Sequence, residues 1–161
     1  MFCVSLRLTP RRIITLSLVL PSLIVLCAVS ALTSLAQKGD DPLFTDFKGV
    51  RIGTPTDEAR KKLGNPKDKG DEQDIYLLND NQTVQIYYDK ATKKVTAISI
   101  DFASRANAIP TAKDVIGSDI DAKADGSGYK MVRYPKAGFW VSYSRTAGKE
   151  PTTTITMQKI D

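Results

Sequence analysis

From Phe47 onward, apolar and polar residues alternate in short runs punctuated by Gly, Pro, Asn and Asp, a pattern that predicts short helices and hairpins. Val50-Arg51-Ile52-Gly53 leads into Thr54-Pro55-Thr56-Asp57-Glu58-Ala59-Arg60-Lys61-Lys62-Leu63-Gly64-Asn65-Pro66. Thr54 suits an N-cap, Pro55 the first helical position, and Asp57 a capping box at the positive end of the helix. Ala59 and Leu63, four apart, share one face, Gly64 stops the helix, and Pro66 prevents its restart. Alternating runs follow at 74–79, 82–89 and 94–102. With Asp80-Asn81 as a two-residue hairpin turn, Leu77 falls opposite Val84 and Ile75 opposite Ile86, all on one face, with Ile98, Ile100 and Phe102 facing the same way.

The same order then returns. Ile109-Pro110-Thr111-Ala112-Lys113-Asp114-Val115-Ile116-Gly117 is a shorter helix-then-glycine segment, followed by a polar loop and strands at 129–134, 138–144 and 152–160. A tip at Lys136-Ala137 sets Tyr134 against Phe139 and Val132 against Val141. Pairing Tyr143 with Ile155 also pairs Val141 with Met157. Gly64 and Gly117 are 53 residues apart, and Tyr88 and Tyr143 are 55 apart. A period near 55 with a repeated helix–β–β–β order predicts an α+β fold of two tandem units, 47–103 and 104–161, with short helices packed on antiparallel sheet.

The first 36 residues carry a different pattern. Arg7, Arg11 and Arg12 precede an apolar stretch from Ile13 to Leu32, interrupted by Pro21, and Ser34-Leu35-Ala36 offers small residues where a signal peptidase reads. This predicts a signal peptide, 1–36, cleaved after Ala36, and a polar tether, 37–46. The apolar run is also near the length needed to span a bilayer, so the alternative is an N-terminal anchor in the inner membrane. Cys27 follows Leu26 rather than the small residue a lipoprotein signal requires. Cleavage changes the charge balance: the chain carries +5, but loss of three arginines and no acidic residue leaves +2. Basic and acidic residues are interspersed, and Arg60-Lys61-Lys62 reads as a solvated helix face, so no nucleic-acid partner is expected. Both cysteines, Cys3 and Cys27, lie in the leader, leaving a core that must hold without disulfides.

Histidine is absent from the sequence, which excludes His-based triads and His metal ligands. Ser142 and Ser144, beside Trp140, could enter only a Ser–Lys scheme and read as solvent-facing strand residues. Asp119-Ile120-Asp121-Ala122-Lys123-Ala124-Asp125-Gly126 departs from a calcium loop, because Lys123 stands at position 5 and the third Asp at position 7. The sequence therefore predicts a protein that is not an enzyme and uses no cofactor and no metal. What remains is a surface. The registers above turn Trp140 away from the core with Arg133 directly opposite, within reach of a cation–π contact, and Met131 and Ser142 on the same face. In the first unit Tyr76, Gln85 and Tyr87 share the equivalent face. Aromatic and arginine side chains are those in which binding sites are enriched.

Residues Ile52 to Pro66, with their Gly, polar, acidic and Leu-Gly-x-Pro pattern, resemble the opening of the SmpA/OmlA family of outer-membrane lipoproteins, the BamE subunit of the β-barrel assembly machine. The resemblance implies helices on a three-stranded antiparallel sheet, and a doubled unit of this kind is similar to the tandem β-lactamase inhibitor protein (BLIP), which binds enzymes with its sheet. The expected function is an exported, periplasmic or extracellular protein-binding module of the cell envelope, acting through Trp140, Arg133, Met131, Tyr87 and Tyr76 on another envelope or secreted protein. The alternative is a structural accessory of outer-membrane assembly, with membrane contact only if the leader is retained.

Overall fold

Seven short strands, each bounded by turn residues, pair into one antiparallel sheet in the order β1-β2-β3-β4-β7-β6-β5. The structure, a computed structural model, describes residues 41–160; the expected leader and residues 37–40 of the expected tether lie outside the described residues. Helix α1 is Thr56–Leu63, followed by β1 Asp68–Lys69, β2 Gln73–Asn79, β3 Gln82–Tyr88 and β4 Val95–Phe102. Helix α2, Ala112–Ile116, precedes β5 Gly128–Tyr134, β6 Phe139–Arg145 and β7 Thr153–Lys159. The expected α+β class therefore holds in its coarse form, an antiparallel sheet with two short helices among the described residues.

Alternation along the strands decides what is buried. Val84, Ile86 and Tyr88 of β3, Ile98 and Ile100 of β4, Ile155 and Met157 of β7, and Val141 and Tyr143 of β6 all enter one buried cluster. Ala59 of α1 and Val115 of α2 join it, so both helices cover the same face of the sheet. Phe44 also packs against this cluster, so the folded body begins before Phe47. At the middle of the sheet Ile98 lies opposite Met157 and Ile100 opposite Ile155, and each is at most 1% exposed.

The second hairpin has the expected register: Tyr134 opposite Phe139, Val132 opposite Val141, and then Tyr143 opposite Ile155. The first does not, for a local reason. Asp80-Asn81 does form the turn between Asn79 and Gln82. One residue later the register shifts, because Leu78 is an extra residue between the pairs Asn79–Gln82 and Leu77–Thr83. Such a bulge exchanges the two faces of the rest of the strand. Tyr76 then pairs with Val84 and Asp74 with Ile86, facing the core, while Ile75 and Leu77 turn outward. Leu78 packs against the core from the bulge, and Leu77, expected inside, is 56% exposed.

The helix starts differ from one another. Thr54 does not cap α1: its hydroxyl accepts from the Arg51 amide, and the N-cap position falls on Pro55 without a side-chain cap. The reason is competition from the sheet. The chain at 53–56 runs alongside residues 93–95, with Gly53 N–H donating to Val95 O and Val95 N–H to Thr54 O. Helix α2 has a full capping box: Thr111 Oγ1 accepts from Asp114 N–H at 3.2 Å, and the Asp114 carboxylate accepts from Thr111 N–H at 3.1 Å. Gly117 ends that helix in the left-handed conformation, φ 78°. Thr111→Ala removes this cap and is expected to lower stability by about 1 kcal/mol, whereas Thr111→Ser retains it. The urea unfolding midpoints of the two variants check this.

Candidate functional site

Burial of one face leaves the other open, and the pairing registers fix its pattern. One row across the sheet reads Gln73, Tyr87, Ala97, Gln158, Trp140, Arg133. The next reads Ile75, Gln85, Ser99, Thr156, Ser142, Met131, and the third Leu77, Thr83, Asp101, Thr154, Ser144, Tyr129. The middle strands thus present hydroxyl, amide and carboxylate groups, and the larger apolar side chains stand at the two sides.

The polar middle is internally bonded. Gln73 Nε2 and the Tyr87 hydroxyl both donate to Gln85 Oε1, at 2.9 and 2.8 Å. Gln85 Nε2 donates to Asp101 Oδ2 at 3.3 Å, and Thr154 Oγ1 donates to Asp101 Oδ1 at 2.7 Å. Ser99 and Thr156 hydroxyls meet at 3.1 Å across the β4–β7 join. These cross-strand bonds hold the face in one arrangement, so a ligand docking there meets a surface that is already ordered.

The structure brings together most of the expected site. Arg133 lies directly opposite Trp140, and Met131 opposite Ser142, as the sequence predicts. Trp140 is partly exposed, and Arg133 and Met131 are exposed. Tyr87 is on this face, partly exposed, in the same row as Trp140 and three strand spacings away, about 14 Å. The expected cation–π contact is not made: among the described residues the cations over rings are Arg60 at Tyr88, 5.7 Å, and Lys48 at Phe47, 5.9 Å. Ser142 is not solvent-facing but 6% exposed, hidden between its neighbours on β5 and β7.

Tyr76 is not part of the face. The bulge at Leu78 turns it inward, where it is 2% exposed. Ile75 and Leu77 take its place, adding an apolar patch beside Tyr87 that the regular register hid. The sequence held a signal for this. In the regular register Asp74, Tyr76 and Leu78 face solvent, yet Leu78 is apolar and Tyr76 aromatic, so both faces of 74–78 carry large apolar residues.

The same flip creates a buried charged network. The side chain of Asp74 is 0% exposed and that of Arg60 21%. Arg60 Nε donates to Asp74 Oδ2 at 2.8 Å and Nη2 to Oδ1 at 2.9 Å, a bidentate pair. The Tyr88 hydroxyl donates to Oδ2 at 2.8 Å, the Tyr76 hydroxyl lies 3.4 Å from the same oxygen, and Gly70 N–H donates to Oδ1 at 3.2 Å. Burial pushes the Asp74 carboxyl up, but the hydrogen bonds from Arg60, Tyr88 and Gly70 outweigh it and hold the group below the usual carboxylate range. Burial, and then the bond to Asp74, push the Tyr88 phenol up, and burial does the same for Tyr76. Arg60, expected on a solvated face, is therefore the cation that makes Asp74 tolerable in the core. The network ties α1 to β2 and β3 from the covered side, so it supports the open face rather than belonging to it.

In the 119–126 loop Asp125 Oδ1 accepts from Ser127 N–H and Oγ at 2.9 and 2.7 Å, a local turn that occupies that oxygen. Among the described residues no group of three His, Cys, Asp or Glu side chains could hold a metal ion, and no helix is long and apolar enough to cross a membrane. Comparison with protein families, with curated proteins and with solved structures found no match.

Proposed function

We propose that this chain is an exported, non-enzymatic protein-binding module of the cell envelope, and that it binds through the open face of its sheet. The observation that carries the reading is Trp140, the chain's one tryptophan, standing partly exposed on a strand with Arg133 and Met131 exposed beside it. Trp and Arg are the residues most enriched where binding energy concentrates. The leader-like pattern of residues 1–36 supports export. The strand order supports the finer reading of two related helix–β–β–β units of SmpA/OmlA type, because each half contains a three-strand meander, β2–β4 or β5–β7, after a helix ending at Gly64 or Gly117, with the two-residue β1 added at the edge of the first. On this reading the halves join through their last strands, β4 and β7.

The test is chemical cross-linking in the native envelope, followed by affinity isolation of the chain with Trp140→Ala run beside the wild type. Trp140→Ala is expected to weaken capture of the partner by about 2 kcal/mol, near thirtyfold, with the unfolding midpoint little changed. Collapse of the fold on this substitution would make Trp140 a packing residue and overturn the reading. So would partner capture that the substitution leaves untouched. Recovery of the outer-membrane assembly machinery with unchanged affinity would favour a structural accessory instead.

A further inference from the structure

The sheet ends differently on its two sides. On one side β1 is only two residues, Asp68 and Lys69, both exposed and charged. On the other, β5 runs seven residues, Gly128–Tyr134, and among the described residues pairs only with β6. Among the described residues, no backbone hydrogen bond reaches 129–133 from any segment other than β6. The free backbone of 129–133 is a template for another strand. It also carries two of the four exposed large hydrophobic residues among the described residues, Tyr129 at 61% and Met131 at 41%, on the open face with Arg133 beyond them.

We infer that the β5 edge pairs with the β5 edge of a second copy of this chain, antiparallel about a two-fold axis at Met131. The inference does not rest on the proposed function, although Met131 and Arg133 figure in both: it concerns backbone pairing at the edge of the sheet, and its tests read the dimer and not the partner of the face. The second copy is favoured because the strand is complementary to itself in one register. With Met131 opposite its own symmetry mate, Tyr129 of each copy faces Arg133 of the other, placing a guanidinium beside an aromatic ring twice. Lys130 then faces Val132, so no two like charges are opposed. Moving the axis to Lys130 would oppose the two lysines directly, a destabilising pair. Moving it to Val132 would oppose Arg133 to Met131 and leave Tyr129 without the cation. A two-fold interface of this kind is self-closing, so it yields a dimer and not a fibre. In the dimer the open faces run into one another, and the two Trp140 sites lie on one continuous sheet, which would let a repetitive or dimeric partner be held at both.

The test uses the full chain expressed in cells, with Cys3→Ser and Cys27→Ser to remove the native thiols. Met131→Cys places two thiols on the proposed axis and is expected to give a disulfide-linked species of twice the chain mass under mild oxidation. Leu77→Cys, more exposed than Met131 and at the far side of the sheet, is expected to give none. Tyr129→Cys with Arg133→Cys in one chain should cross-link as well, whereas Lys130→Cys should not. In sedimentation of the purified protein without added thiols, Met131→Asp opposes two carboxylates and is expected to raise the dimer dissociation constant at least about fivefold. A monomer at every concentration, or Met131→Cys no more cross-linked than Leu77→Cys, overturns the inference. An adduct of Met131→Cys with a different protein in place of the doubled chain also overturns it, since the edge would then hold a foreign strand.

Discussion

Asp74→Asn is expected to destabilise the fold by about 3 kcal/mol at neutral pH, among the largest effects of any near-isosteric change in this chain. The carboxylate it replaces is wholly buried and accepts from Arg60, Tyr88 and Gly70, so the amide can keep its shape but not its charge. Arg60 would then sit over the Tyr88 ring without a counter-charge. Its partial exposure lets it move toward water, which places the loss at the lower end of the range for broken buried pairs. Arg60→Ala should cost more, about 4 kcal/mol, because it leaves the buried carboxylate with no cation. The two losses share one interaction, so the double variant should fall well short of their sum.

The pH dependence separates the ion pair from simple packing. The Asp74 carboxyl is held below its ordinary value in the folded state. Its contribution is therefore complete above the unfolded value, about 3.9, and is lost as pH falls through that value toward the folded one. The stability gap between wild type and Asp74→Asn should accordingly shrink between about pH 5 and pH 2. The Tyr88 phenol is raised, so the sign reverses: its contribution is complete below about pH 10 and declines as pH rises beyond. Urea unfolding midpoints at about pH 7, 2.5 and 10.5 test both arms. A gap of equal size at neutral and at acid pH would mean that the charge contributes nothing and that the substituted amide merely packs badly.

That network also marks where sequence reading stopped. The strands of 129–160 were legible because their alternation is unbroken: Val132, Tyr134, Phe139, Val141 and Tyr143 all fall on one parity set by one turn. Trp140 opposite Arg133 followed from the same counting. Residues 74–78 carry apolar side chains at both parities, Ile75 and Leu77 on one and Tyr76 and Leu78 on the other, so hydrophobicity alone could not choose a register. The choice lies in contacts between segments distant in sequence. Arg60 on α1 satisfies Asp74, Tyr88 contributes the second strong bond, and the Leu78 bulge absorbs the extra residue. Thr54 shows the same limit at a helix start. Its capping propensity is real but local, and the bonds of Gly53 and Thr54 to Val95 move the helix start downstream.

Ile100→Ala is expected to cost about 3 kcal/mol and to lower the thermal midpoint by roughly 10 °C. Ile100 is 1% exposed and lies opposite Ile155, on the join where a strand of the first half meets a strand of the second. Shortening the side chain there leaves a cavity walled by β-strands on both sides, which can collapse only if the strands shift and break the Ser99–Thr156 and Asp101–Thr154 bonds on the other face. The loss should therefore be felt in both halves at once. Trp140 fluorescence reports β6, and amide exchange of residues 84–88 reports β3, on opposite sides of the join. Both should shift by the same free energy in Ile100→Ala, with one cooperative transition in each protein. A shift confined to the β3 amides, with the Trp140 transition left at its wild-type midpoint, would show that β2–β4 and β5–β7 fold as separate units that merely touch. Coincident shifts would make the sheet one folding unit, in which the Asp74 network on one side and the open face around Trp140 on the other depend on the same central isoleucines.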